Sequence, residues 1–213
     1  TERDADAGDK ANDAIRVTAQ ELKVKAVGEG ANLGMTQLAR VEFALNGGRI
    51  NTDAIDNSAG VNSSDVEVNL KIALGEAEAA GKLKRPARNK LLAAMTDDVA
   101  DLVLRNNYLQ TLCVSLMEGT LSRDGAGLSR LFRELEHRGG LDRAIEFLPS
   151  GEELDDRIKS GGSLSRPEMA VLVSYAKIVV FNDLMAQKFA SDPYLENELM
   201  RYFPNRMSKT YNA

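Results

Sequence analysis

Apolar and polar positions change their period several times along this chain, and each change predicts an element. Leu22-Lys23-Val24-Lys25-Ala26-Val27 alternates with period two, which predicts a strand that Gly28 and Gly30 end. Thr36 then reads as a helix N-cap, with Leu38, Val41, Phe43, Ala44 and Leu45 as the buried stripe and Gly47-Gly48 as the stop. A second strand is predicted from Arg49 to Ile55, followed by a loop and a helix that starts near Ser63 or Ser64 and ends at Gly81. In that last segment Val66, Val68, Leu70, Ile72 and Leu74 again recur every two residues, so periodicity alone also allows a strand there. Ahead of all this, Asp9 to Val17 can form a helix, and Thr18 with Glu21 has capping-box spacing.

Beyond Gly81 the strand signal vanishes. Lys82-Leu83-Lys84-Arg85-Pro86 forms a basic, proline-containing joint. From Arg88 to Met117, Leu91, Met95, Leu102, Leu109, Leu112 and Leu116 recur at helical spacing, with Val99 and Cys113 beside them. Gly125 and Gly127 break this pattern, and a further helix carries Leu128, Leu131, Phe132 and Leu135. Ser150 with Glu153 and Ser165 with Glu168 match the capping box, and Pro167 falls in a first turn, where proline is tolerated. A long helix follows Ser165, and Asp192-Pro193 opens a last short one. The expected fold class is α/β, predominantly helical: residues 1–82 as the last part of a Rossmann-type cofactor domain, and residues 83–213 as an all-helical domain. The strand-loop-helix order, repeated once, is the unit of folds that bind ligands beyond the carboxyl ends of their strands.

Composition narrows the function classes. The net charge is −5 and the isoelectric point near 5.1, whereas nucleic-acid binding needs a basic face, so no nucleic-acid partner is expected. No apolar run approaches the roughly 20 residues that cross a bilayer, so no membrane partner is expected. The polar start, TERDADAGDKANDA, does not resemble a secretory leader. Cys113 is the sole cysteine, which excludes an internal disulfide and makes the cytoplasm the expected compartment. A chain that begins at Thr1 and offers only a pair of parallel strands reads as part of a longer polypeptide, since parallel strands normally lie inside larger sheets.

Two loops stand out chemically. GEGANLG is a glycine-rich turn between a strand and a helix, where glycine lets a phosphate or ribose approach the backbone. Its G-x-G-x-x-x-G spacing is one residue off the dinucleotide fingerprint, and a tight structural turn explains it equally well. DNSAGVNSSD pairs Asn57 with the small residues Ala59 and Gly60 and with Ser63 or Ser64 as helix caps. Adjacent parallel strands would present Asn32 and Asn57 at one sheet edge, as a shared amide-lined site requires.

With these residues in view, the chain resembles the glutamate dehydrogenases. Their cofactor domain carries an EGAN-G-P-T loop and an N-A-G-G-V-x-x-S segment at the two places. The wording GEGANLGMTQ with GGRINTDAIDNSAGVNSSDVEVNLKIAL is similar to the very large bacterial NAD-specific enzymes, as are DRAIEFLPS, LSRPEMAVLVSYAK and DPYLENELMRYFP downstream. The resemblance implies NAD as cofactor, L-glutamate and 2-oxoglutarate as substrate and product, and a homo-oligomeric parent enzyme. It further implies that Gly28, Gly30 and Ala31 form the turn under the cofactor, and that Asn32 contacts its ribose or nicotinamide end. Asn57 would hydrogen-bond the nicotinamide carboxamide, beside Ala59 and Gly60, and Ser64 would help hold a substrate carboxylate. Ser58 and Ala59 depart from the usual Ala-Gly, and Leu33 interrupts Asn-Gly-Pro.

Neither the family's lysine-bearing substrate motif nor its first dinucleotide fingerprint is found here, so no residue is assigned a catalytic role and the chain is expected to be inactive by itself. The competing class is a non-catalytic helical interaction or regulatory module in which the glycine turns are only structural. His137, in a polar helix end without metal-ligand partners, reads as solvated, and no metal site is expected. Cys113, in an apolar stripe, reads as buried core. Asp53 and Asp56 flank the second loop; one of them could serve a ribose or proton-transfer role, and a strand-end turn role explains them at least as well.

Overall fold

The computed structural model describes residues 6, 8, 10–31, 34–121, 124–187 and 192–207. Among them the chain is predominantly helical. A 3-10 turn over Lys10–Ile15 precedes α1 (Gln37–Leu45), α2 (Asp53–Asp56), α3 (Ser58–Ala79), α4 (Arg85–Ala94), α5 (Thr96–Leu121), α6 (Gly125–Gly139), α7 (Gly151–Lys159), α8 (Arg166–Ala186) and α9 (Pro193–Tyr202). Two compact units divide these elements. One comprises Thr1–Asn57 with Gln110–Leu184, the other Ser58–Leu109 with Met185–Ala213. The units interleave along the chain, whereas the joint near Lys82 would divide it linearly.

The expected strands do not form among the described residues. What remains of them is one isolated parallel bridge, Ala26 with Arg49. It is made by Val27 N–H donating to the Arg49 carbonyl (2.9 Å) and Arg49 N–H donating to the Lys25 carbonyl (2.9 Å). Parallel strands gain little from a single neighbour and persist inside larger sheets. The second segment also shortens because Asp53–Asp56 winds into α2 after the extended Thr52. The Rossmann-type sheet is therefore not seen here. Around the bridge, Ala19, Phe43 and Ile50 form a small core with Leu22, Val27, Met35 and Ala44 against it.

Helix α1 starts where predicted: the Thr36 hydroxyl accepts from Ala39 N–H at 3.2 Å. Gly47 ends it at φ 90°, and a Cβ on Gly48 would lie 2.2 Å from the Phe43 ring. The buried face consists of Arg40, Val41 and Phe43, while Leu38 and Leu45 are exposed, so the expected stripe is rotated. The rest of the first unit is a helical core in which Val114, Leu128, Phe132, Leu135, Met169 and Leu172 are all but inaccessible. Val114 takes the inward position assigned to Cys113, which is exposed; one residue turns a helix by about 100°. His137 is exposed in the last turn of α6, beside Arg138, where positive charge suits the helix dipole.

Helix α8 is long and apolar enough to cross a membrane by length and composition, contrary to the sequence-based expectation. Between Met169 and Met185 the only charged residues are Lys177 and Asp183. Its first turns are buried in the first unit, where Glu168 pairs with Arg157 at 2.8 Å.

In the second unit, α3 settles the ambiguity of its period-two pattern. Val66, Leu70 and Leu74, spaced by four, are buried, while Val68 and Ile72 are exposed. They pack with Met95, at the break between α4 and α5, and with Leu83, Leu91, Leu102, Tyr202 and Phe203. Tyr202 Oη donates to Asp65 Oδ2 and accepts from Asn69 Nδ2, both at 2.7 Å, which fixes α9 on α3.

Candidate functional site

The loop after the bridge in the first unit is shaped by carboxylates rather than by its glycines. Gly28, Gly30 and Ala31 are exposed, and a Cβ on Gly30 would stand 3.5 Å from the Asp56 carbonyl oxygen, an ordinary contact. Glu29 curls the turn: its Oε1 accepts the Ala31 N–H at 2.7 Å, and its own N–H donates to Asp56 Oδ2 at 3.0 Å. Asn32 and Leu33 lie outside the described residues.

Asp56 ties this loop to the second one. Its Oδ1 accepts from Asn51 Nδ2 at 2.9 Å. Asn57 is the half-buried C-cap of α2, with its N–H on the Asp53 carbonyl at 2.8 Å, and no side-chain hydrogen bond engages its amide among the described residues. The Thr52 hydroxyl is buried without a partner among the described residues. Asp53 Oδ1 accepts from Ala54 N–H at 2.9 Å, a turn role.

In the second unit, Ala59 and Gly60 belong to the first turn of α3 instead of a loop, because that helix starts at Ser58, earlier than Ser63 or Ser64 predicted. Ser63 does not cap; inside the helix its hydroxyl donates back to the Ala59 carbonyl at 2.7 Å. Ser64 is exposed within the same helix. The Ser58 hydroxyl is hydrogen-bonded to Asn107.

Sequence reading missed the centre of the first-unit cluster. Arg40, 1% exposed, sends Nη2 to Glu29 Oε2 at 2.6 Å and Nη1 to the Asn51 carbonyl at 3.1 Å, and lies 4.0 Å from Asp56 Oδ2. Asn51 Oδ1 in turn accepts from Arg166 Nε at 2.6 Å. The signal was present: an arginine three residues before Phe43 and four before Ala44 lies on the apolar face of its helix. These carboxylates are all engaged in hydrogen bonds, so the cluster is built to hold backbone in place rather than to exchange protons. Two cavities of the first unit lie elsewhere. One of about 680 Å³ opens beside the bridge, lined by Leu22, Val24, Phe43 and Arg49 among others; one of about 520 Å³ lies beside Arg157 and Ser160. Neither is lined by a residue predicted for the site. No group of metal-binding side chains occurs among the described residues.

The geometry defines a class first: a helical protein in which two small-residue segments, one following each arm of a parallel bridge, are tied by a buried arginine–carboxylate network. Comparison then supplies the family. Residues 1–117 match the family described as bacterial NAD-glutamate dehydrogenase, catalytic domain, and residues 161–213 match glutamate dehydrogenase, C-terminal. This chain belongs to the bacterial NAD-glutamate dehydrogenase family. It is 51% identical over 210 residues to the NAD-specific glutamate dehydrogenase of Pseudomonas aeruginosa, 49% over 211 residues to that of Halomonas elongata, and 42% over 215 residues to that of Mycobacterium tuberculosis. Each comparison covers 99% of this chain, and the chain spans 13% of the length of these relatives.

Proposed function

We propose that this chain contributes part of the NAD site of an enzyme that oxidises L-glutamate to 2-oxoglutarate and ammonia. The observation that carries the reading is the joining of the two expected cofactor segments through Glu29 and Asp56, with the Glu29 N–H on Asp56 Oδ2 at 3.0 Å. The donor set fits a dinucleotide: exposed backbone at Gly28, Gly30 and Ala31 and, among the described residues, an Asn57 amide with no side-chain hydrogen bond and a buried Thr52 hydroxyl without a partner. When bound, NAD supplies the hydride acceptor. The chain's own part is to support the turn with Gly28, Gly30 and Ala31 and to orient the nicotinamide carboxamide with Asn57. The roles of Asn32, Ala59, Gly60 and Ser64 rest on the family resemblance. The parallel Ala26–Arg49 bridge supports a Rossmann-type sheet completed by other strands of the parent polypeptide. That the parent is a homo-oligomer rests on the family resemblance, and that it is cytoplasmic on the single cysteine of this stretch.

Carbonyl polarisation and proton transfer need a lysine and a carboxylate that this stretch does not offer at a family position, so the isolated 213-residue chain is inactive. The test compares glutamate-dependent NADH formation by the full-length parent, its Asn57→Ala variant and the 213-residue chain. The parent turns over, Asn57→Ala raises KM for NAD by about tenfold, a loss of one orienting hydrogen bond, and the short chain gives no product. A parent without glutamate-dependent NADH formation overturns the reading.

A further inference from the structure

We propose that Arg40 is a positioning residue for the dinucleotide, holding the Gly28–Ala31 turn and the Asn51–Asn57 segment in one fixed spacing. This inference rests on the NAD reading above and assigns work to Arg40, Asn51 and Arg166, which lie outside the family's loop motifs.

The argument is one of committed valences. Arg40 faces two carboxylates with a side chain only 2% exposed. Glu29 spends one oxygen on Arg40 (2.6 Å) and the other on the Ala31 N–H (2.7 Å), so the guanidinium sets the carboxylate that shapes the turn just before Asn32. Asp56 spends one oxygen on the Glu29 N–H (3.0 Å) and the other on Asn51 Nδ2 (2.9 Å). Asn51 gives its backbone carbonyl to Arg40 (3.1 Å) and its side-chain oxygen to Arg166 (2.6 Å). Arg166 is itself anchored on α5, to Ser115 Oγ at 2.9 Å, Glu118 Oε2 at 3.2 Å and the Thr111 carbonyl at 3.1 Å. The cluster thus runs unbroken from the Ala31 amide to the start of α8.

Stability alone does not account for such a construction. Removing ions from water costs several kcal/mol apiece, and well-packed apolar residues often do as well or better. Tying two turns through a planar, five-donor fork gives a defined geometry that apolar packing would not impose. The Gly28–Ala31 turn is assigned to the cofactor and the Asn51–Asn57 segment ends in Asn57, which is assigned to it as well; affinity gains from a site held in its bound shape.

The experiment uses the full-length enzyme and measures the NAD dissociation constant by calorimetry, the KM values for NAD and glutamate, and the urea midpoint for Arg40→Met, Asn51→Ala and the wild type. The NAD dissociation constant rises by about tenfold in Asn51→Ala and further in Arg40→Met, the scale expected when about 1.4 kcal/mol of preorganisation is lost, while KM for glutamate stays near wild type. If Arg40→Met does not fold, Asn51→Ala decides alone, since it keeps the charges of Arg40, Glu29, Asp56 and Arg166. Variants with a lowered urea midpoint and an unchanged NAD dissociation constant overturn the proposal and leave a purely structural network. A wild-type enzyme that binds NAD but does not oxidise glutamate refutes the functional reading, and the dissociation constants still decide the role of Arg40. A wild type that does not bind NAD overturns both.

Discussion

Two of the arginine–carboxylate clusters in the first unit, those at Arg40 and at Arg157, are built from different kinds of neighbour. At Arg157 the partner is Glu168, 0% exposed, which accepts from the guanidinium at 2.8 and 3.1 Å and from the N–H and hydroxyl of Ser165 at 2.6 Å each. The participants are the last turns of α7 and the first turn of α8, and the negative charge sits where a helix N-terminus favours it. At Arg40 the partners come from a turn, an extended segment and a short helix, and no helix end gains from them. The Arg157 cluster terminates secondary structure. The Arg40 cluster holds irregular backbone in place.

Removing the charge at each centre separates these roles. In the 213-residue chain, Arg40→Met leaves Glu29 and Asp56 as neighbouring carboxylates with 13% and 11% side-chain exposure. Breaking one side of a buried ionic cluster costs about 3–5 kcal/mol, read as a drop in the urea unfolding midpoint. Glu168→Gln keeps an acceptor for Ser165, and Arg157, with 30% side-chain exposure, can turn to water. Its cost is about 2 kcal/mol, the loss of charge-assisted hydrogen bonds. In the full-length enzyme, Glu168→Gln leaves the NAD dissociation constant unchanged. Equal costs for the two substitutions, or weakened NAD binding in Glu168→Gln, would erase the distinction.

The contrast also explains what could be read from sequence. Local devices were legible. Thr36, Ser150 and Asp192 cap the helices they precede, and Glu168 occupies its capping-box position, although there the serine hydroxyl donates to the carboxylate. Helical periodicity located α6 and α8, whereas the single run read from Arg88 to Met117 breaks at Met95 into α4 and α5, and Leu109 and Leu116 of its stripe are exposed. Non-local features were not legible. Whether Leu22–Val27 becomes a strand depends on neighbours on both sides, and one bridge is all that a single partner sustains here. The start of α3 was placed too late because Asn57-Ser58-Ala59-Gly60 has the composition of a loop, yet Ala59 and Gly60 wind into the helix from Ser58 onward. The glycine and asparagine motifs were legible only as candidates for cofactor contacts. The buried cluster that holds the Gly28–Ala31 turn was not legible, because Arg40, Asn51 and Arg166 meet only after folding.

Tyr175 offers a weaker test of the helical side of the comparison. Its hydroxyl donates to Glu146 Oε1 at 2.7 Å, and this bond to a carboxylate pushes the phenol up to about 12 from its ordinary 10. Tyr175→Phe costs about 1 kcal/mol, one part-buried hydrogen bond. A folded value above the unfolded one means that this contribution is fully present below pH 10 and is lost as pH rises through about 12. The wild type therefore loses stability over that window and Tyr175→Phe does not show that component, in urea midpoints taken at pH 9 and above.

The smallest effect belongs to the Ser150 capping box, and it tests whether the capping devices are as local as they look. Ser150 Oγ accepts from Glu153 N–H at 3.2 Å, and Ser150 N–H donates to Glu153 Oε2 at 2.8 Å. Ser150→Ala lowers stability by about 1 kcal/mol. The Glu153 carboxyl is held below its ordinary value of 4.5, first by the Ser150 backbone N–H and then by the hydroxyl. Its folded value being depressed, the contribution is present above pH 4.5 and lost as pH falls through the folded value. Ser150→Ala keeps the backbone donor and hence most of this acid sensitivity, whereas Glu153→Gln abolishes it. A capping box that stabilises only the start of α7 leaves the NAD dissociation constant of the full-length enzyme untouched in both variants. A shift there would show that the local devices also set the loops, and the two kinds of cluster would no longer be separable.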